Sequence, residues 1–213
     1  MTKIADLRKD YIKHQLTKKD TLDNPIAQFS AWLKEALQSE VSEVNAMTLA
    51  TVKSDNRPSS RVVLLKGVEG GRFLFYSNYL SNKGKELAIN PYAALTFFWP
   101  ELERQVRIEG AITLVSSEQS DEYFNSRPRG SQISAVTSPQ SAVIKNRQIL
   151  EERSANIEKK FEDKEVTRPT QWGGYALIPD YIEFWQGRAS RLHDRIVYQL
   201  EEDNTWSKNR LAP

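Results

Sequence analysis

The chain has 213 residues, with 30 Lys and Arg against 28 Asp and Glu and a formal net charge of +2, a length that suits one domain with a sizeable core, here residues 1–213. The near-balance of charge argues against a protein that coats polyanions, so positive charge has to be judged locally. With no cysteine there are no disulfides, thiolate nucleophiles or zinc–thiolate and iron–sulfur sites, and two histidines are too few for a histidine-rich metal centre, so no metal is expected.

The opening residues mix acids and bases without an apolar run, which argues against a secretory signal. The longest apolar stretches fall far short of the roughly 20 residues of a membrane helix, so a soluble protein of the cytoplasm without a membrane partner is expected. Ile4, Leu7 and Tyr11 recur at helical spacing and predict a short docked helix over residues 3 to 13. Asn24 and Pro25 supply a cap and a first-turn proline, and Phe29, Trp32, Leu33 and Leu37 trace the apolar stripe of a helix to about Ser39. From Ala46 the period changes to alternation, and residues 55 to 58 turn the chain into a returning strand over residues 60 to 66, a hairpin. Residues 67 to 71 read as a turn, 73 to 77 as a third strand and 81 to 90 as a short helix. Residues 93 to 99 and 105 to 115 form a further strand pair, and a second helix covers 117 to 125. Residues 141 to 161 read as a charged helix, followed by strands over 175 to 178, 181 to 186 and 194 to 200, with Trp206 near the last edge. Six or more antiparallel strands with inserted helices predict an α+β architecture, a closed barrel with peripheral helices.

Cationic and hydroxyl groups gather at the ends of these strands. Arg61 and Lys66 bracket Val62, Val63, Leu64 and Leu65; residues five apart point to opposite faces, so they are either two polar strand ends or two walls of one groove. Tyr76, Ser77 and Asn78, then Ser81 and Lys83 at a helix start, offer hydroxyls, a cation and free N–H groups to a phosphate. Neither a Walker loop nor a GxGxxG dinucleotide motif is present. Tyr123, Arg127, Arg129 and Ser131 form either a second phosphate cluster or a turn with exposed arginines around Pro128. Gln140 and Ser141 read equally as ligand groups or a helix cap. Trp185 is by default a core or interface residue, but Arg191, His193 and Arg195 beside it favour ring stacking with an anionic aromatic ligand. No GxSxG accompanies His193, so a hydrolytic triad has little support. Acids interleaved with the basic clusters argue against a nucleic-acid partner.

In their order and spacing, residues 61–66, 76–83, 103–106 and 123–132, Gln140-Ser141, residues 185–195 and the terminal Arg210-Leu211-Ala212-Pro213 resemble the pyridoxamine/pyridoxine 5′-phosphate oxidase family. The resemblance covers nearly the whole chain. It implies an antiparallel FMN-binding split β-barrel with peripheral helices, acting as a homodimer with FMN at the subunit interface. The implied reaction is oxidation of pyridoxamine or pyridoxine 5′-phosphate by O2 to pyridoxal 5′-phosphate, with H2O2 and, from the amine, NH3. Arg61, Ser77 and Lys83 would then bind the FMN phosphate. Val62, Val63, Leu64, Leu65, Lys66, Tyr76, Gln105, Gln140, Ser141, Trp185 and Arg195 would complete the flavin site across two subunits. Lys66, Tyr123, Arg127 and Ser131 would hold the substrate phosphate, and Arg191 and His193, the implied catalytic residues, would lie over the substrate ring. Arg8 and Tyr11 would cover the substrate from a segment over residues 1–20. One position departs from the pattern: Asn82 stands where family members often carry a second arginine, a loss of roughly 1.5–3 kcal/mol in FMN binding if nothing replaces it. Another split-barrel FMN oxidoreductase or a flavin reductase is the alternative of the same fold, and a non-enzymatic carrier of pyridoxal phosphate or nucleic acid is the alternative of another class.

Overall fold

Asn24 starts the first helix by accepting the Ile26 and Ala27 N–H groups on its side-chain oxygen, at 2.8 and 3.0 Å. Helix α1, Pro25–Gln38, then turns Phe29, Trp32 and Ala36 inward. The computed structural model describes residues 3–7 and 10–213, so the expected role of Arg8 lies outside the described residues.

Strands β1 (Ala46–Val52) and β2 (Pro58–Leu64) form the expected hairpin, in register from Ala46↔Leu64 to Val52↔Pro58. The short β3 (Gly67–Glu69) and β4 (Arg72–Asn78) follow, joined by Gly70 and Gly71 at φ 54° and 78°, a backbone that favours glycine. The turn expected over residues 67 to 71 is therefore confined to its last two positions. Helix α2 (Asn82–Ile89), capped by Ser81, leads to β5 (Tyr92–Trp99) and β6 (Arg104–Leu114). Then come α3 (Ser117–Ser126), α4 (Arg129–Thr137), α5 (Gln148–Lys160), β7 (Trp172–Gln186), β8 (Asp194–Leu200) and β9 (Trp206–Leu211).

Besides β3, and β9, which is not expected as a strand, further elements differ from expectation. The N-terminal helix is a single 3-10 turn at Ile4–Asp6, with Ile4 and Leu7 exposed: their spacing is helical, but no core meets them. Helix α4 starts directly after Pro128, where the sequence reads as a phosphate cluster or a turn and predicts no helix. The helix expected from residue 141 starts at Gln148, and Ser141 itself has φ 71°. The two strands expected over 175 to 186 are one, because pairing with β6 on both sides of a register shift at Glu109/Gly110 carries Pro179 and Asp180 through the sheet.

The strand order is β2-β1-β5-β6-β7-β4-β3, with β8 on β7 and β9 on β8. Along its other edge β7 pairs first with β4, over residues 172–177, and then with β8, over 181–186. That fork makes the barrel split rather than closed by one continuous ladder. Two of its edge strands, β2 and β3, are successive stretches of chain: the Leu65 N–H bonds the Asn45 carbonyl and the Lys66 N–H the Leu74 carbonyl, each at 2.8 Å. Helix α1 fills the interior, with Phe29 5.0 Å from Phe73 and Trp32 5.1 Å from Phe184, ring to ring. Burying a side chain such as Phe29 contributes about 1.5–3 kcal/mol.

Candidate active site

Alternation along β2 sends Val63 and Leu65 toward the core and leaves Val62 and Leu64 exposed, so only the latter two can offer side chains to a ligand. Arg61 shares the inner face and Lys66 lies exposed at the corner into β3. Arg61 bonds Glu86 at 2.9 Å and Ser59 Oγ at 2.6 Å, and Glu86 also accepts from Thr51. Lys83, only 9% exposed, approaches three neutral oxygens: Ser77 Oγ at 3.1 Å, Ser81 Oγ at 3.4 Å and Gln140 Oε1 at 3.1 Å. Burial, then the charge of Arg61, pushes the Lys83 ammonium below its ordinary value, against the pull of Glu86. Ser141 Oγ accepts the Asn82 N–H at 3.2 Å, so the loop after α4 reaches the start of α2. Five residues expected at the flavin, Arg61, Ser77, Lys83, Gln140 and Ser141, are thus brought together around that helix start.

Next to them on β4, the Tyr76 ring stacks on Tyr123 of α3 at 3.8 Å, and Trp172 lies 5.7 Å from Tyr76 at an interplanar angle of 17°. Burial, then the charge of Glu69, pushes the Tyr76 phenol up to about 12. The Arg127 guanidinium sits 4.6 Å from the Trp172 centroid, with its Nη1 buried and without a hydrogen-bond partner among the described residues. Ser131 follows in the first turn of α4. Trp172 and Glu86 were not among the expected site residues; Trp172 opens a Trp-Gly-Gly stretch that reads as a strand boundary, and nothing distinguishes Glu86 from the other acids.

A second assembly lies on the outer face of β6, β7 and β8. Gln105, Trp185 and Arg195 are cross-strand partners in a single row. Arg195 donates to Glu183 through Nε at 2.8 Å and Nη2 at 3.0 Å. Glu183 is buried, which alone would raise its pKa, but bonds from Arg195 and Tyr181 and the charges of Arg195 and Arg107 hold it below the carboxylate range. Trp185 lies 4.6 Å from His193 and 5.7 Å edge-on to Tyr11. Arg191 and Ser190 both have left-handed backbones, φ 62° and 54°, and with Tyr11, Arg188 and His193 they line a cavity of about 650 Å³.

His193 Nδ1 accepts the Arg188 N–H at 3.1 Å, which leaves Nε2 to carry the proton of the neutral ring. Burial, then the charge of Arg191, pushes its pKa below the ordinary 6.5, against Asp194. The neutral ring therefore stabilises the loop fully above about pH 6.5, and that stability is lost as pH falls through the lower folded value. An NMR titration should show His193 ionising below 6.5; a value above it would contradict this arrangement.

Trp172 and Trp185 mark opposite ends of β7, which at about 3.3 Å per residue sets them roughly 40 Å apart along the strand. One chain therefore carries two separate clusters: Lys83 and Arg127 toward one end of β7, and Trp185 with His193 at the other.

Residues 33–161 match the family model described as pyridoxamine 5′-phosphate oxidase, and residues 172–213 match one described as the pyridoxine 5′-phosphate oxidase C-terminal dimerisation region. The chain belongs to the pyridoxamine 5′-phosphate oxidase family. A pyridoxine/pyridoxamine 5′-phosphate oxidase of Leptospira interrogans is 56% identical over 211 residues, 99% of each chain. Among solved structures, PhzG from Burkholderia lata, in complex with tetrahydrophenazine-1-carboxylic acid, is similar at TM-score 0.87 and 29% identity, over 93% of this chain and 98% of that one. An FMN-binding protein of Nostoc punctiforme shares the fold at TM-score 0.72 and 18% identity, over 89% and 98%. FMN is the cofactor of this family member, and the residues present fit it: Lys83 is a buried cation hydrogen-bonded to neutral oxygens, poised for an anion. The dimerisation region comprises β7, β8 and β9, the strands that carry Trp185 and Arg195. No helix of the described residues is long and apolar enough to cross a membrane.

Proposed function

We propose that the protein oxidises pyridoxamine 5′-phosphate and pyridoxine 5′-phosphate to pyridoxal 5′-phosphate as a homodimer, with O2 as terminal acceptor. The observation that carries this reading is the half-buried Arg127, whose guanidinium lies over Trp172 with Nη1 buried and without a partner among the described residues, in a chain that also buries the Lys83 ammonium among neutral oxygens. Two cationic clusters, each short of a counter-charge, suit a phosphorylated cofactor and a phosphorylated substrate.

On this reading Arg61, Ser77, Lys83, Gln140 and Ser141 hold the FMN phosphate, with Val62, Leu64 and Tyr76 near the flavin. Lys66, Tyr123, Arg127 and Ser131 take the substrate phosphate. Gln105, Trp185 and Arg195 come from the second copy, which joins the two clusters that β7 separates. Arg191 and His193 orient the substrate ring, His193 through its Nε2–H, and Tyr11 in the covering segment excludes water. When bound, FMN supplies a two-electron acceptor that O2 regenerates, yielding H2O2. The substrate carbon loses a hydride and its heteroatom a proton; the alcohol becomes the aldehyde directly, and the amine becomes an imine that water hydrolyses to aldehyde and NH3. The chain's contribution is orientation and phosphate binding, and no protein nucleophile is required.

Anaerobic addition of pyridoxamine 5′-phosphate should bleach the bound flavin, and air should restore its colour. A flavin that stays oxidised with both B6 phosphates would reject the proposal. The likeness to PhzG supports a second reading, oxidation of an unphosphorylated polycyclic carboxylic acid. Bleaching by such a compound, with indifference to the B6 phosphates, would favour it.

A further inference from the structure

We propose that Glu103 is a positioning residue whose carboxylate fastens the N-terminal segment so that the Tyr11 ring stays against Trp185 and His193. Glu103 lies between β5 and β6 and is 1% exposed, yet no Lys or Arg pairs with it among the described residues. A buried carboxylate without a cation is costly unless N–H groups satisfy it. Here Oε2 accepts two from the extended segment, Ile12 N–H at 2.9 Å and Lys13 N–H at 3.1 Å.

The same residue also ties down the surface on which Tyr11 rests. Its backbone is left-handed, φ 55°, and its carbonyl accepts the Gly187 N–H at 2.8 Å and Gln186 Nε2 at 3.2 Å. Gly187 has no room for a side chain, because a Cβ there would stand 2.6 Å from Tyr11 Cγ. Glu103 thus grips the segment with its side chain and the facing backbone with its carbonyl. Further along, Leu16 is clamped separately, its N–H on Asp194 at 3.0 Å and its carbonyl on Arg210 at 2.7 Å. Upstream of that clamp the other ties to the sheet among the described residues, Lys13 Nζ to the Glu101 carbonyl at 2.6 Å and Arg188 Nη1 to Gln15 Oε1 at 3.4 Å, are exposed to solvent. Glu103 therefore provides the buried attachment of residues 11–13.

This inference rests on the site proposed above only for its effect on turnover, so its test has one arm that is independent of substrate. In wild-type holoenzyme the Ile12 and Lys13 amides should be protected from hydrogen exchange. Trypsin cleavage after Lys13 should accelerate about tenfold or more in Glu103→Ala, the loss of a hydrogen bond to a charged acceptor, and recover largely in Glu103→Gln, which keeps an accepting oxygen. Unprotected amides, or equal cleavage in all three proteins, would overturn the proposal; should Glu103→Ala not fold, exchange of the Ile12 and Lys13 amides in wild type decides it. In the second arm, Glu103→Ala should raise KM for pyridoxamine 5′-phosphate about tenfold, and the increase should vanish in a Tyr11→Ala background. Additive effects would mean that Glu103 does not act through Tyr11. If the flavin fails to bleach, the functional reading falls while exchange and cleavage still report on Glu103.

Discussion

Replacing Lys83 with methionine is expected to weaken FMN binding by about ten- to a hundredfold while leaving the apoprotein at least as stable. The two effects have one cause. The Lys83 ammonium is buried among Ser77, Ser81 and Gln140, whose oxygens are neutral, and the nearby Glu86 carboxylate is taken by Arg61 and Thr51. Burying a charge without a counter-ion is unfavourable, and a phosphate supplies the missing one. Methionine fills similar space without the charge, so the apoprotein is relieved of a burden while a charge-assisted bond of about 1.5–3 kcal/mol to FMN is lost. Asn82, on the same helix turn, brings no cation to replace it. Fluorescence titration of FMN and urea unfolding of the apoprotein measure both quantities. The pH dependence supplies a further check. Because the folded-state pKa of Lys83 is depressed, wild-type apoprotein should gain stability as pH rises from the folded value toward the ordinary 10.5, above which the penalty is gone. Lys83→Met should flatten that gain. Unchanged FMN affinity together with a destabilised apoprotein would show that the cation serves the fold instead.

What the sequence makes legible follows the range of the interactions involved. Helix α1 is readable because Asn24, Pro25 and the stripe of Phe29, Trp32 and Leu33 are local signals that agree with one another, although Leu37, expected on that stripe, is exposed and Ala36 is buried instead. Ile4 and Leu7 carry the same periodicity and form no such helix, since burial against a core, rather than spacing, stabilises a short helix. Helix α4 is hard to see because Ile133 is its one buried residue, so it has almost no apolar stripe. Pro179 and Asp180 look like a turn, and long-range pairing of β7 with β6 overrides them. In the site, the clusters at Lys83 and Arg127 are visible as basic and hydroxyl groups near a helix start. Trp185 and Arg195 stand out beside His193, but their row with Gln105 does not, because it joins residues far apart in the chain, and Gln105 enters as a flavin residue only through the family resemblance. Glu86, Glu103 and Glu183 are indistinguishable from the remaining acids until tertiary contacts bury them.

Arg127→Met should lower kcat/KM for pyridoxamine 5′-phosphate by about a hundredfold or more and leave whatever oxidation of unphosphorylated pyridoxamine the wild type shows nearly unchanged. The guanidinium is held by its face, 4.6 Å from the Trp172 centroid and 5.7 Å from that of Phe124, which fixes its plane without occupying its donors. Burial pushes its pKa down, and Nη1 has no partner among the described residues, so the side chain is costly to the fold until an anion arrives. A phosphate presents paired oxygens that match the planar fork, and each charge-assisted bond contributes about 1.5–3 kcal/mol, so two lost bonds account for the hundredfold. Arg127→Lys keeps the charge but loses the fork and should recover only part of the activity. FMN affinity should be unaffected in both variants, which separates this site from the Lys83 cluster. An equal loss with the phosphorylated and unphosphorylated amines would mean that Arg127 orients the ring or supports the stack of Tyr76, Tyr123 and Trp172. No loss with either would move the substrate phosphate elsewhere.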